Sequence, residues 1–126
     1  MNETIKDFYD LQAWKCGHEL VLCVYQETKK FPKEELFGVT SQMRRAVCSI
    51  TANIAEGFSR YHYKDKIKFY IQARGSVAEL QNFLFVCRDL GYILVDVCQS
   101  LMEQSFLVAK LINGMVRSIE NQITSY

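Results

Sequence analysis

Apolar residues recur at three- and four-residue steps through most of this chain, the spacing of one face of an α-helix. The clearest run is Gln42 to Arg60, QMRRAVCSITANIAEGFSR, where Met43, Val47, Ile50 and Ile54 form a stripe and Ala46 fills it. A second line on the same cylinder is small and polar: Arg45, Ser49, Ala52, Glu56 and Arg60, with Asn53 beside it. Such a line suits the close approach of another helix, or a surface kept for a partner.

Taken in order, the pattern predicts four helices, over about 10–30, 40–59, 63–90 and 95–122. In the first, Asp7 or Asp10 is the expected N-cap, and the seam reads Leu11, Trp14, His18, Val21, Tyr25 and Thr28, widened by Leu20 and Val24. Phe31-Pro32 stops it, because a residue before proline is pushed out of the α region. The segment KEELFGV makes a turn with Gly38 as punctuation, and Thr40 caps the second helix. Gly57 and the residues Ser59 to Tyr63 mark the next break. The third helix buries Phe69, Ala73, Val77, Leu80, Leu84 and Cys87, and ends at Gly91 as a C-terminal cap. The fourth turns Val97, Leu101, Val108, Ile112, Met115 and Ile119 inward. No stretch alternates as a strand does. The expectation is an all-α, antiparallel up-down-up-down four-helix bundle, with residues 1–126 as one domain.

Composition narrows the setting. No apolar run approaches the roughly 20 residues that cross a bilayer, and MNETIKDFYD lacks the charged-then-apolar order of a signal peptide. Five cysteines (Cys16, Cys23, Cys48, Cys87, Cys98) with no CxxC pair point to reduced, mostly buried thiols in a cytoplasmic protein rather than a disulfide framework or a zinc site.

Chemistry is sparse. The Glu-x-x-His pairs of metal-binding bundles are absent, since Lys15 and Ser59 precede His18 and His62 by three. No glycine-rich phosphate loop is present, and no Ser, Cys or Asp pairs convincingly with a histidine. His18 falls on a helix seam and His62 at a junction. No catalytic residue, metal or cofactor is expected, and the chain reads as a non-enzyme.

Charge does add something. The net charge is +1, yet residues 42–74 hold seven basic side chains (Arg44, Arg45, Arg60, Lys64, Lys66, Lys68, Arg74) against two acidic ones, Glu56 and Asp65. Residues 1–41 hold five against seven and residues 75–126 three against five. Two readings stand. The basic stretch is a solvated face with local ion pairs such as Glu56 with Arg60, or Arg44, Arg45, Arg60, Lys64, Lys66 and Lys68 contact phosphates. In the second reading Phe58, Tyr61, Tyr63, Phe69 and Tyr70 could stack on unpaired bases. Polar residues within helical segments, Asn53, Glu56, Arg74, Ser76 and Glu79, suit the fixing of register between subunits. Gly75 in mid-helix costs about 1 kcal/mol relative to alanine, which close helix approach would offset. An oligomer is expected.

Several motifs occur in order: DL-x-x-W, the FP turn, Q-x-R-R-A, S-I-x-x-N-I-A-E-G, A-R-G-S-x-x-E-L and L-G-Y. Together, from Asp10 to about Ile93, they resemble the four-helix-bundle family encoded in intervening sequences of bacterial 23S rRNA genes. The resemblance implies an up-and-down bundle assembled as a homopentamer, with no catalytic activity. One branch of that family, the accessory variability protein of diversity-generating retroelements, binds nucleic acid and associates with a reverse transcriptase. By motif match Arg44, Arg45, Asn53, Glu56, Arg60, Arg74, Ser76 and Glu79 form the signature polar set, with subunit contacts and a basic surface as the implied roles. Thr51 stands where relatives often carry proline. The near-neutral charge departs further, since the retroelement branch is strongly basic. The implied partners are further copies of the chain, structured RNA or DNA, and a reverse transcriptase. A purely structural or protein-binding module is the alternative, and a membrane is not among the partners.

Overall fold

The computed structural model describes residues 4–124, which form four α-helices: α1 Gln12–Thr28, α2 Ser41–Ser59, α3 Tyr63–Asp89 and α4 Val95–Thr124. The fold is all-α, with no strand among the described residues. Each helix packs on its two neighbours around a ring, α1 on α2, α2 on α3, α3 on α4 and α4 on α1. Cross-helix pairs show that neighbours run antiparallel. Arg45 meets Glu79 and Ser49 meets Ser76, so numbers rise along α2 as they fall along α3. Arg74 with Asn113 and Gln81 with Ser105 show the same for α3 and α4. This is the up-down-up-down bundle.

The core lies where the four stripes meet. Met43, Ala46, Val47, Ile50 and Ile54 of α2 are essentially inaccessible, as its spacing predicts. They pack with Leu20 and Val24 of α1, Leu80 and Leu84 of α3, and Val108 and Ile112 of α4. The α1 stripe is rotated from expectation, and those of α3 and α4 keep most of their expected residues but differ at a few positions. In α1 the buried line is Ala13, Gly17, Leu20, Val24 and Thr28, while Trp14, His18 and Val21 lie half-buried at its side and Tyr25 is exposed. The reason is close packing: a Cβ on Gly17 would come 3.0 Å from Thr51 Cγ2, so α1 presents its smallest residues to α2. In α3 Tyr70 rather than Phe69 is buried, and in α4 Cys98, Met102, Ser105 and Val116 are buried where Val97 and Met115 reach only partial cover.

The ends correct two further expectations. Asp7 and Asp10 cap a single tight turn, Phe8–Asp10, ahead of α1. Phe8 N donates to the Asp7 carboxylate at 2.8 Å, and the Asp10 carboxylate accepts from Lys6 N and Asp7 N at 3.1 and 3.0 Å. Those backbone bonds hold the Asp10 carboxyl below the usual carboxylate range. Leu11 therefore leads into α1 with no side-chain cap. Thr40 does not cap α2. Its backbone is already helical, continuing a wide turn over Leu36–Thr40, and its buried hydroxyl has no hydrogen-bond partner among the described residues.

Gly91 does end α3. At φ +77° it lets its own N–H reach Arg88 O (3.1 Å) and Tyr92 N–H reach Cys87 O (2.8 Å), which satisfies two terminal carbonyls. Tyr92 then sets its ring 5.5 Å from that of the buried Phe31, tying the 29–40 connection to the 90–94 connection at one end of the bundle.

Candidate functional site

The six basic residues singled out from the sequence fall into two groups at opposite ends of α2. A helix rises about 1.5 Å per residue, so Arg45 and Arg60 stand roughly 22 Å apart along the axis. The six basic residues, expected together as one phosphate-contacting set, therefore do not form one patch: α3 returns antiparallel, so Lys64, Lys66 and Lys68 start beside the end of α2 far from Arg44 and Arg45.

At the first end, Arg44 is half-buried. Its Nε donates to Thr28 Oγ1 at 2.9 Å, and its guanidinium lies 4.7 Å from the centroid of the Tyr25 ring. Thr28 is a usable acceptor because its own hydroxyl proton goes to Val24 O at 2.8 Å. Lys29 and Lys33 join Arg44 around a hollow of about 340 Å³, walled by Phe31, Pro32 and Leu36. Sequence reasoning missed these two lysines because they belong to an amino-terminal third that is net acidic. Arg45 is exposed and bonds to Gln42 Oε1 (3.1 and 2.9 Å) and to the Glu79 carboxylate of α3. The Glu79 bond raises the Arg45 pKa.

At the other end, Arg60 lies 3.8 Å from the Glu56 carboxylate and stacks 4.7 Å over the Phe69 ring. Lys66 folds back onto the end of α2, donating to Phe58 O at 2.6 Å and Gly57 O at 3.4 Å. Partial burial lowers its pKa. It acts here as a cation on the negative end of a helix. Lys64 and Lys68 are exposed on the first turns of α3, and Tyr61, between Arg60 and Lys64, is 90% exposed. His62, Tyr63, Lys64 and Asp65 line a hollow of about 550 Å³ closed on one side by Ile123. This corner is where cations and an open aromatic ring come together.

Of the remaining signature residues, Arg74, Ser76 and Glu79 bond to neighbouring helices, whereas Asn53 bonds within α2 and Glu56 pairs with Arg60 at its end. Asn53 Nδ2 donates to Ser49 O and Ser49 Oγ at 2.9 and 3.0 Å, and the Ser49 and Ser76 hydroxyls are 2.9 Å apart. Arg74 Nη1 donates to Asn113 Oδ1 at 3.0 Å. The Gly75 face, by contrast, is open: a Cβ there would meet nothing within 4 Å. Close approach inside the subunit does not explain this glycine.

His18 stacks on Trp14 with ring centroids 4.7 Å apart, and His62 packs edge-on to Tyr61 at 5.0 Å. All five cysteines are free. Among the described residues no three His, Cys, Asp or Glu side chains gather where they could hold a metal ion. No helix of the described residues is long and apolar enough to cross a membrane.

Comparison with known proteins agrees with the motifs. The fold is shared with a crystal structure of a protein of unknown function from the S23 ribosomal protein family of Bacteroides thetaiotaomicron. The TM-score is 0.77 at 21% identity, over 82% of this chain and 97% of that one. No curated protein matches. The model of the 23S rRNA-intervening sequence proteins matches residues 9–114, all of α1–α3 and two thirds of α4, and neither that description nor the structural neighbour's names a reaction. The chain belongs to the 23S rRNA-intervening sequence protein family.

Proposed function

We propose that this protein is a non-enzymatic scaffold that works as a homo-oligomer, with five copies the number its motifs imply, and that it presents a basic corner to nucleic acid. The observation that carries self-association is the apolar end of the bundle. Phe37 is 91% exposed, Leu94 and Val95 are each 70% exposed, and Leu36 and Leu90 beside them are about half exposed. These residues share the end at which Phe31 meets Tyr92. Apolar groups gathered on one surface mark contact sites.

The α2–α3 corner supports the nucleic-acid part. Tyr61 offers an open ring for stacking while Arg60, Lys64 and Lys68 supply positive charge around it. The rival reading is a structural or protein-binding module, for example an accessory of a reverse transcriptase, with no direct nucleic-acid contact. It is favoured by one fact: Arg44, Arg45, Arg60 and Lys66 are already bonded within the subunit.

Binding to a structured RNA and to duplex DNA across a salt series separates the two. The unmodified protein is run beside an Arg60→Glu/Tyr61→Ala variant and an Arg44→Glu/Arg45→Glu variant of the same oligomeric mass. The scaffold reading expects a log–log salt slope that collapses in the first variant and falls less in the second. No binding at low salt by the assembled protein would leave the rival standing.

A further inference from the structure

The outer face of α3 carries a stripe that the bundle does not use. Lys64, Lys68, Ile71 and Gly75 lie on it, followed by Ala78, Asn82, Phe85 and Asp89, and every one of these residues is exposed. The steps alternate four and three throughout, the repeat that lets two helices lie along one another. Ile71 and Phe85 are 43% and 42% exposed, and Gly75 has nothing near its missing Cβ.

Read from both ends, the stripe is self-complementary. Turned antiparallel on itself about a two-fold axis between Gly75 and Ala78, it sets Gly75 against Ala78, Ile71 against Asn82, Lys68 against Phe85 and Lys64 against Asp89. The smallest residues fall at the centre, where close approach is needed. Opposite charges fall at the two ends, where Asp89 also accepts from Arg88 of its own helix at 2.9 Å, and Lys68 falls beside the Phe85 ring, one side of which Arg88 covers at 4.8 Å. Asn82, polar between the apolar Ala78 and Phe85, favours this register over others. The flanking positions bring Gln72 towards Glu79 and Arg74 towards Gln81.

We propose that this stripe docks a second copy of the chain through an isologous, antiparallel α3–α3 contact. The proposal rests on the self-association reading above and adds to it. A two-fold contact cannot be the repeating contact of a five-membered ring, so it joins two rings, or two subunits, face to face. The mid-helix glycine is then explained: its missing side chain lets the two α3 backbones approach across the axis.

The test is the mass in solution by multi-angle light scattering at micromolar concentration, for the unmodified protein and three variants. The unmodified protein is expected to hold an even number of subunits. Gly75→Glu, which adds bulk to an open face and leaves the bundle intact by circular dichroism, is expected to halve that mass. Asp89→Lys is expected to weaken the pairing at least several-fold, and Lys64→Glu/Asp89→Lys to restore it. An odd number of subunits, or a mass that Gly75→Glu leaves unchanged, overturns the α3 contact while self-association stands. A single-subunit mass for the unmodified protein overturns both.

Discussion

The Ser49 hydroxyl of α2 lies 2.9 Å from the Ser76 hydroxyl of α3, and the Asn53 amide reaches the same Ser49 oxygen at 3.0 Å. Two small polar side chains thus set both the distance and the register between the helices that pack most extensively. Ser49→Ala removes the bridge and is expected to lower stability by about 1 kcal/mol. Ser76→Leu forces bulk into the same contact, at a cost of about 1–3 kcal/mol. Urea unfolding checks both, and equal stability for Ser76→Leu and the unmodified protein would contradict the tight contact.

Two glycines on opposite helices of the bundle, Gly57 of α2 and Gly114 of α4, should respond oppositely to alanine. At Gly57 a Cβ would fall 2.6 Å from a Tyr70 ring carbon and 3.0 Å from Phe69 Cβ, too close without displacing α3. Gly57→Ala is expected to destabilise by about 1–3 kcal/mol. At Gly114 nothing lies within 4 Å, so Gly114→Ala should gain the helix preference of alanine, about 1 kcal/mol. Thermal unfolding of the pair distinguishes steric from propensity effects.

Arg44 joins α1 to α2 through Thr28 and Tyr25. Arg44→Ala is expected to cost about 1–2 kcal/mol, from one charge-assisted bond and one ring contact in a half-buried setting. Lys64→Ala, exposed at the other end, should stay within about 0.5 kcal/mol for the folding of the subunit. Denaturant midpoints that rank these two variants the other way would show that Arg44 is not a fastener.

Burial pushes the Cys87 thiol up to about 11 from 9.0 and the Tyr70 hydroxyl up to about 12 from 10.0. In both cases the folded chain holds its proton more tightly than the unfolded chain. The stability they contribute is therefore complete below pH 9. It is lost as pH rises from 9 through 11 for Cys87 and from 10 through 12 for Tyr70. Lys66 works in the other direction, because burial lowers its pKa. The slope of the urea midpoint against pH, compared between the unmodified protein and Cys87→Ala, isolates the thiol: the variant should show the shallower fall between pH 9 and 11.

Thiol alkylation gives an independent reading of the same core. Cys16, Cys23 and Cys48 are partly accessible, whereas Cys87 and Cys98 are buried, with Cys87 Sγ donating to Met43 Sδ at 3.4 Å. In the native protein three thiols are expected to react in the first phase and the last two only on unfolding. Prompt labelling of all five would contradict the packing.

The fold was legible because α2 keeps a strict stripe of bulky apolar residues that the structure buries without exception. It was less legible in α1, where the buried line runs through Ala13 and Gly17. Hydrophobic spacing gives weight to large residues such as Trp14 and Tyr25, but close helix contact selects small ones. The candidate site was half legible. Residue types singled out Arg44, Arg60 and Lys64 as candidate cations, and the fold leaves the first partly exposed and the other two exposed. Only the antiparallel return of α3 shows that they belong to different ends, and only the folded connection brings Lys29 and Lys33 to Arg44.

The connection between α2 and α3 is three residues long, 60–62, and the pairs that set their register lie on consecutive helices. Short loops close at little entropic cost, so this hairpin is the part of the chain able to form earliest. The α1–α4 contact joins the two ends of the sequence and must wait for everything between. Substitutions at Ser49 or Ser76 should then slow folding, while those in the α1–α4 seam should chiefly hasten unfolding. The polar pair that fixes register would in that way also set the pace at which the chain reaches it.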